Sequence, residues 1–228
     1  MWDVHKELQS DNPEVIGEVS KTIAGDINTK IKNKQVNTTV YTQKMQDAIY
    51  FAVKTHEVYQ KQKRKGKDVP YITHPLIVGL ILAKAGASED VVTAGILHDT
   101  IEDSVDEKQV TKEMLAERFG EGVAELVSAV SEKDKSLSWH ERKEQALEEI
   151  KQFSHDELLL KSGDVVSNLT EIIGDYSRDG DATFDRFNAT KEDTLVHSKL
   201  VIETILGAWD ENPLAVDLRI IKEKLAEM

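Results

Sequence analysis

Four ionisable side chains crowd into a segment that otherwise belongs in a core: Leu97-His98-Asp99-Thr100-Ile101-Glu102-Asp103-Ser104. Upstream, Val92, Ala94, Ile96 and Leu97 read as buried, and placing an imidazole and carboxylates beside them costs free energy unless a cation or hydrogen-bond partners compensate. On a helix, His98 and Asp99 adjoin, and Glu102 and Asp103 return to nearly the same face one turn later. The spacing predicts a helix that presents metal ligands and a water-activating carboxylate to one point.

The surrounding pattern is helical. Only 4 prolines and 12 glycines interrupt 228 residues rich in Ala, Leu, Glu, Lys and Gln, and apolar residues recur at three and four rather than at two. The chain contains no cysteine, so a metal must be held by His, Asp, Glu or backbone oxygen, which favours hard or borderline divalent ions. With 29 basic and 42 acidic residues the formal net charge is -13, which opposes general binding to nucleic acid or anionic membranes. No apolar run reaches the roughly 18 to 20 residues that cross a bilayer, and the polar start lacks a secretory layout, so the chain is expected to be cytoplasmic.

Residues 1–41 are polar and weakly patterned, and read as an accessory segment. The core is expected over 42–208, starting with a helix capped by Thr42, and 209–228 as a C-terminal helix opened by Pro213. Residues 61–68 read as a basic loop and 76–85 as an apolar helix ended by Gly86. Ser88 caps the helix carrying His98 and Asp99. Helices follow near 111–119 and 121–131, and Ser138 with Glu141 opens a charged helix expected to be a solvated face. In the apolar stretch 158–169, Asp164 and Asn168 intrude one turn apart. A loop is expected over 174–181 and a helix over 191–208.

His74, His98, Asp99 and Asp164 fit four metal ligands drawn from three helices or helix ends, with Glu102 and Asp103 near enough to position and deprotonate a water. Taken singly, each has a structural alternative. His74 before Pro75 can cap a helix, His98 can be a core histidine, and Glu102 and Asp103 can be a solvated helix end. Arg64 and Lys65 can belong to a surface loop, Asn168 can satisfy a buried backbone group, and Arg186 and Lys191 can be surface charges. Trp2, Trp139 and Trp209 are too dispersed for a stacking platform.

The order of motifs resembles the His-Asp (HD) metal-dependent phosphohydrolases, within them the hydrolase domain of RelA/SpoT enzymes and the small alarmone hydrolases. The resemblance covers about residues 45–207. It rests on Arg64-Lys65 before Pro70-Tyr71-Ile72-Thr73-His74-Pro75, on Leu97-His98-Asp99 with Glu102-Asp103, on Asp164 with Asn168, and on Phe187-Asn188-Ala189-Thr190-Lys191. It implies an all-α HD bundle in which His74, His98, Asp99 and Asp164 hold one divalent cation, usually manganese, while Glu102 and Asp103 activate or orient water. Arg64, Lys65, Asn168, Arg186 and Lys191 would contact a guanosine nucleotide that loses its 3′-pyrophosphate.

Two departures bear on the substrate. Val165 follows Asp164 where relatives usually carry a basic residue, and Glu171 stands where several carry a hydroxyl, so a different base or phosphorylated nucleotide is the alternative. A sensor without turnover is a third expectation. Only about 20 residues follow Gly207, so no synthetase domain is expected and the chain should degrade alarmone without making it.

Overall fold

The computed structural model describes residues 41–132 and 137–228. Apart from Tyr41, the accessory segment expected over 1–41 lies outside the described residues. Among the described residues there are nine α-helices and no strand beyond an isolated bridge between Lys63 and Pro70.

Local chemistry sets most helix starts. Helix α1 (Gln43–Val53) begins where the Thr42 hydroxyl accepts the Met45 N–H at 3.3 Å, and it runs into a π-helical turn, Lys54–Tyr59. Helix α2 (Thr73–Lys84) is followed by α3 (Glu89–Leu97), which Ser88 caps. Then come α4 (Lys112–Phe119) and α5 (Glu121–Val130). Capping boxes open both α6 (Trp139–Ile150), through Ser138 and Glu141, and α7 (His155–Asp179), through Ser154 and Glu157. Each reciprocal pair satisfies two amides that a helix end leaves without partners. After a 3-10 segment, Gly180–Arg186, helix α8 (Lys191–Ala208) leads to α9 (Ala215–Ala226).

Helix α7 organises the packing. Its 25 residues reach about 37 Å at about 1.5 Å each, long enough to serve two apolar clusters. Leu159 and Leu160 join the core formed by α1 to α5, whereas Leu158, Val165, Leu169 and Ile172 face Leu195, Ile202 and Leu218 of α8 and α9. Buried Asn212 ties the C-terminal segment to α7, its side-chain amide donating to Ser162 Oγ at 2.8 Å. Pro213 therefore sits in the turn before α9 rather than at its first position.

Two sequence expectations need correction. The stretch 174–181 is not a loop: α7 continues through Gly174 to Asp179, and Gly180, at φ +58°, ends it. Contacts by Ile173, Asp175 and Tyr176 outweigh the glycine's poor helix propensity. The His98 to Asp103 motif, expected on a helix, lies on turns beyond α3. There the His98 ring contacts the Gly95 carbonyl at 2.8 Å and the Thr100 hydroxyl donates to the Leu97 carbonyl at 2.7 Å. Side chains thus satisfy carbonyls that continuing helical amides would have taken.

The meeting of α2, α3 and α7 is close because glycine faces it. A Cβ on Gly95 would lie 2.4 Å from Cδ1 of Leu82, a fully buried residue that also abuts Gly163. Gly95→Ala gains helix propensity worth about 1 kcal/mol, but overpacking costs about 1–3 kcal/mol. We expect a net loss of stability in urea denaturation, whereas the same change at Gly174, where a Cβ meets nothing within 4 Å, should stabilise.

Candidate active site

Three elements converge on one point because each contributes a residue at its end or at a crossing. His74 is the second residue of α2, His98 and Asp99 follow the end of α3, and Asp164 lies in α7 where Gly163 lets α2 approach. His74 and His98 are 2% and 4% exposed. Their Nε2 atoms are 3.2 Å apart. Asp99 Oδ2 lies 3.0 Å from His98 Nε2 and 3.6 Å from His74 Nε2. Asp164 Oδ1 lies 3.3 Å from His74 Nε2 and 3.9 Å from His98 Nε2.

The donor atoms of His74, His98 and Asp99 lie within 4.8 Å of one another and can share a divalent cation, while Asp164 approaches the two histidines from outside that trio. The Gly95 carbonyl can only accept, so neutral His98 carries its proton on Nδ1 and turns the Nε2 lone pair into the cluster. Two imidazoles and two carboxylates facing each other demand positive charge between them. Burial opposes charge on His98, yet Asp99 and Asp164 outweigh it and push the imidazole up to about 9. Burial likewise works against ionised Asp99 and Asp164, but the histidines, and Lys161 beside Asp164, hold both carboxyls well below the usual range. Separations of 3.0–3.9 Å are about those between neighbouring donors around one ion at about 2.1 Å bonds.

A layer of partners fixes these donors. Tyr71 Oη donates to Asp99 at 2.6 Å, Ser167 Oγ is 3.0 Å from His74 Nδ1, and Asp164 accepts from Asn168 at 2.6 Å and from Lys161 at 2.9 Å. Sequence reasoning missed Tyr71, Ser167 and Lys161 as site residues. The signal for Lys161 was available, since a lysine three residues before a carboxylate on a helix faces it. Val165, noted for its lack of charge, packs into the apolar core instead.

Glu102 and Asp103 part company. Glu102 lines the cavity over the cluster and accepts the Glu132 N–H at 3.3 Å, while burial, the larger influence, pushes its carboxyl upward. Asp103 is set behind the cavity wall and accepts from Gln62 Nε2 at 2.9 Å. Gln62 Oε1 in turn meets Nδ1 of fully buried His56 at 3.0 Å, a support that no sequence spacing announced.

The cavity, about 480 Å³, has His74, His98, Asp99 and Asp164 in its lining together with Lys65 and Asn168. Helix α6, expected to be a solvated face, forms one wall through Arg142, Lys143 and Ala146. Its charged composition hid that role, because a polar ligand cavity and bulk water select similar residues. Arg64, Arg186 and Lys191 are outside the lining. Lys191 bonds Asp181 at 2.6 Å and Tyr176 at 3.3 Å.

Arg64 and Arg186 join a ladder of ion pairs along α7. From Asp164, Asn168 leads to Arg64 Nη2 at 2.8 Å, and Arg64 to Glu171 at 2.7 Å. Lys67 then bridges Glu171 at 2.6 Å and Asp175 at 2.5 Å, and Arg186 closes on Asp175 at 2.7 Å. The turn presenting Arg64 and Lys67 needs Gly66, at φ +72°, where a Cβ would also lie 2.9 Å from Arg186 Cβ. Glu171 is thus neutralised by Arg64 and Lys67 rather than offered to a phosphate.

The HD domain family model matches residues 48–187. Over 128 residues the chain is 36% identical to the guanosine-3′,5′-bis(diphosphate) 3′-pyrophosphohydrolase MESH1 of Danio rerio, covering 55% of this chain and 67% of that protein. It is 43% identical over 91 residues to a guanosine-3′,5′-bis(diphosphate) 3′-pyrophosphohydrolase of Aquifex aeolicus (strain VF5), covering 40% of this chain and 12% of that longer protein. A solved structure, described as a metazoan ortholog of SpoT that hydrolyzes ppGpp, superposes with a TM-score of 0.67 at 26% identity, over 83% of this chain and 99% of that one.

The ladder yields a stability prediction. Asp175 is 2% exposed; burial favours its neutral form, but Lys67 and Arg186 override this and keep it below the usual range. Asp175→Asn leaves the half-buried Lys67 and Arg186 short of a carboxylate and should cost about 1.5–3 kcal/mol in urea denaturation. A depressed folded value means that the wild-type advantage is full above the ordinary carboxylate value of about 4 and shrinks as pH falls through the lower folded one. An advantage unchanged down to pH 2 would refute the assignment.

Proposed function

Because the chain belongs to the HD-domain family, we propose that it is a metal-dependent phosphohydrolase that removes the 3′-pyrophosphate from a guanosine bis(diphosphate). The observation that carries this reading is the convergence of His74, His98, Asp99 and Asp164 on a cavity of about 480 Å³, a size suited to one small ligand. Relatives whose names state that activity supply the substrate. The hydrolase unit is assigned to residues 42–208, with 209–228 as a helical addition. Among the described residues no helix is long and apolar enough to cross a membrane.

The family implies a divalent metal, and we assign His74, His98, Asp99 and Asp164 as its ligands, with manganese as the ion to test first. A bound divalent cation would supply Lewis acidity, polarising phosphoryl oxygen and making water more acidic. The protein's own groups supply the rest. Glu102, on the cavity wall, accepts a proton from the attacking water. Asp103, outside the cavity lining and held by Gln62, positions the turn that carries Asp99 and Glu102 and acts on the water through them. Asn168, fixed between Asp164 and Arg64, presents its amide edge to the nucleoside, and exposed Lys65 faces the phosphates at the mouth. Water forms a bond to the phosphorus attached to ribose O3′; the P–O3′ bond breaks, O3′ takes up a proton, and pyrophosphate leaves.

The ion pairs on Glu171 favour this reading over one in which that carboxylate repels phosphate. With Mn²⁺ restored after chelation, the protein should release pyrophosphate from guanosine tetraphosphate, and chelator should abolish release. No release at high protein concentration would reject the substrate, and a panel of phosphorylated nucleotides would identify another. Asp103→Asn should lower turnover by about 100-fold or more while leaving circular dichroism and metal uptake unchanged. Loss of turnover separates an enzyme from a sensor, whose nucleotide affinity alone would report its function.

A further inference from the structure

The cavity lining also holds Glu102, Glu132 and Glu149, yet one wall carries a cation that no ion pair accounts for. Arg142 and Lys143 of α6 and Lys161 of α7 all line it. Arg142 is paired with Glu132 at 2.6 Å, and Lys161 with Asp164 at 2.9 Å. Lys143 is half-buried and, among the described residues, makes no hydrogen bond or ion pair. Burial, then the repulsion of Lys161, holds its ammonium below the usual lysine range, with Glu132 and Glu102 offering only partial compensation at longer range. His197, on the α8 side of the cavity, is pushed down to about 4 by burial first and then by Lys143 and Lys161. It is therefore neutral near pH 7 and adds a hydrogen-bonding group rather than another charge.

Such an arrangement is costly in the empty protein. Like charges gathered in a partly desolvated wall repel, and a half-buried ammonium without a protein acceptor gives up part of its hydration without return. The chain has 42 acidic residues, so the absence of a carboxylate against Lys143 is not for want of acids. An anion in the cavity would remove the repulsion and satisfy the orphan cation at once.

We propose that Lys143 is a specificity-determining residue, the outer cation of an anion subsite shared with Lys161, which receives the phosphoryl group distal to the scissile P–O3′ bond. This rests on the phosphohydrolase reading above. Lys161 is anchored to Asp164 and so stands beside the reacting phosphorus. Lys143 lines the same cavity from α6 and does not bond Asp164. Two cations lining one cavity can engage the two phosphoryl groups of a pyrophosphoryl ester, whereas a phosphate monoester offers only one. The subsite thus selects a pyrophosphoryl ester over a monophosphate ester and retains inorganic pyrophosphate after cleavage.

Inorganic pyrophosphate, titrated calorimetrically into metal-loaded wild type, Lys143→Met and Lys143→Arg, tests this directly. The metal contributes alike to all three, so the difference reports position 143. We expect Lys143→Met to bind pyrophosphate about tenfold more weakly or worse, with orthophosphate affected less and with Lys143→Arg near wild type. With guanosine tetraphosphate, KM should rise in Lys143→Met more than kcat falls. Thermal stability should hold or increase, since a repelled cation is removed; a merely structural lysine would instead lower it without moving pyrophosphate affinity. Wild type that fails to bind pyrophosphate, or Lys143→Met that binds it equally well, overturns the proposal. Lys143-dependent binding without hydrolysis of guanosine tetraphosphate would uphold the subsite and reject the substrate. Hydrolysis with KM untouched in Lys143→Met would do the reverse.

Discussion

Two buried imidazoles and the Asp99 carboxylate gather where α2 and α3 meet α7, with the Asp164 carboxylate against both histidines, and the architecture follows from making that tolerable. Each donor alone is expensive to desolvate. Together they offset one another only if positive charge lies among them and every outward-facing atom has a partner. The Gly95 carbonyl, the Tyr71 hydroxyl, Ser167, Asn168 and Lys161 supply those partners. Close approach of α2 to both other helices, across Gly95 and Gly163 against Leu82, brings the donors within reach. Packing and chemistry are one problem here: a methyl group at a glycine would move a ligand.

The long helix α7 extends the same logic away from the cluster. Positions 164, 168, 171 and 175 fall on one face: Asn168 links Asp164 to Arg64, and Glu171 and Asp175 are tied to cations from the turn at 64–67 and to Arg186. The ladder spends basic side chains on holding structure. Arg64 positions Asn168 and neutralises Glu171, so the charge available to an anionic ligand comes from elsewhere, namely Lys65 at the mouth and the wall made by α6 and Lys161. Around the cavity Glu132 pairs with Arg142, Asp164 with Lys161 and Glu102 with a backbone amide, while Glu171 and Asp175 are tied into the ladder.

Much of this was legible in the chain itself. Capping residues Thr42, Ser88 and Ser138 mark helix starts correctly because an N-cap is a local bond between a side chain and an amide three residues on. His74, His98, Asp99 and Asp164 stand out because polar residues in apolar helices are costly wherever they occur. The misreadings also have local causes. Residues 174–181 look like a loop by composition, yet Ile173, Asp175 and Tyr176 are held in helix by distant partners. Helix α6 looks solvated because its charges do not reveal whether they face bulk water or a cavity.

Periodicity, caps and the burial cost of isolated ionisable residues thus determined, from the sequence by itself, an all-helical chain with a metal-suited donor set. What only the tertiary structure decided is which charges meet. It turned Glu171 toward Arg64 and Lys67, bonded Asp103 to Gln62, which meets His56, and left Lys143 lining the cavity without a bonded carboxylate. The physical reason is that helix formation is settled by neighbours within a few residues, whereas electrostatic pairing falls off over a few ångströms of space, and partners 41 or 107 residues apart in the chain become neighbours only after packing.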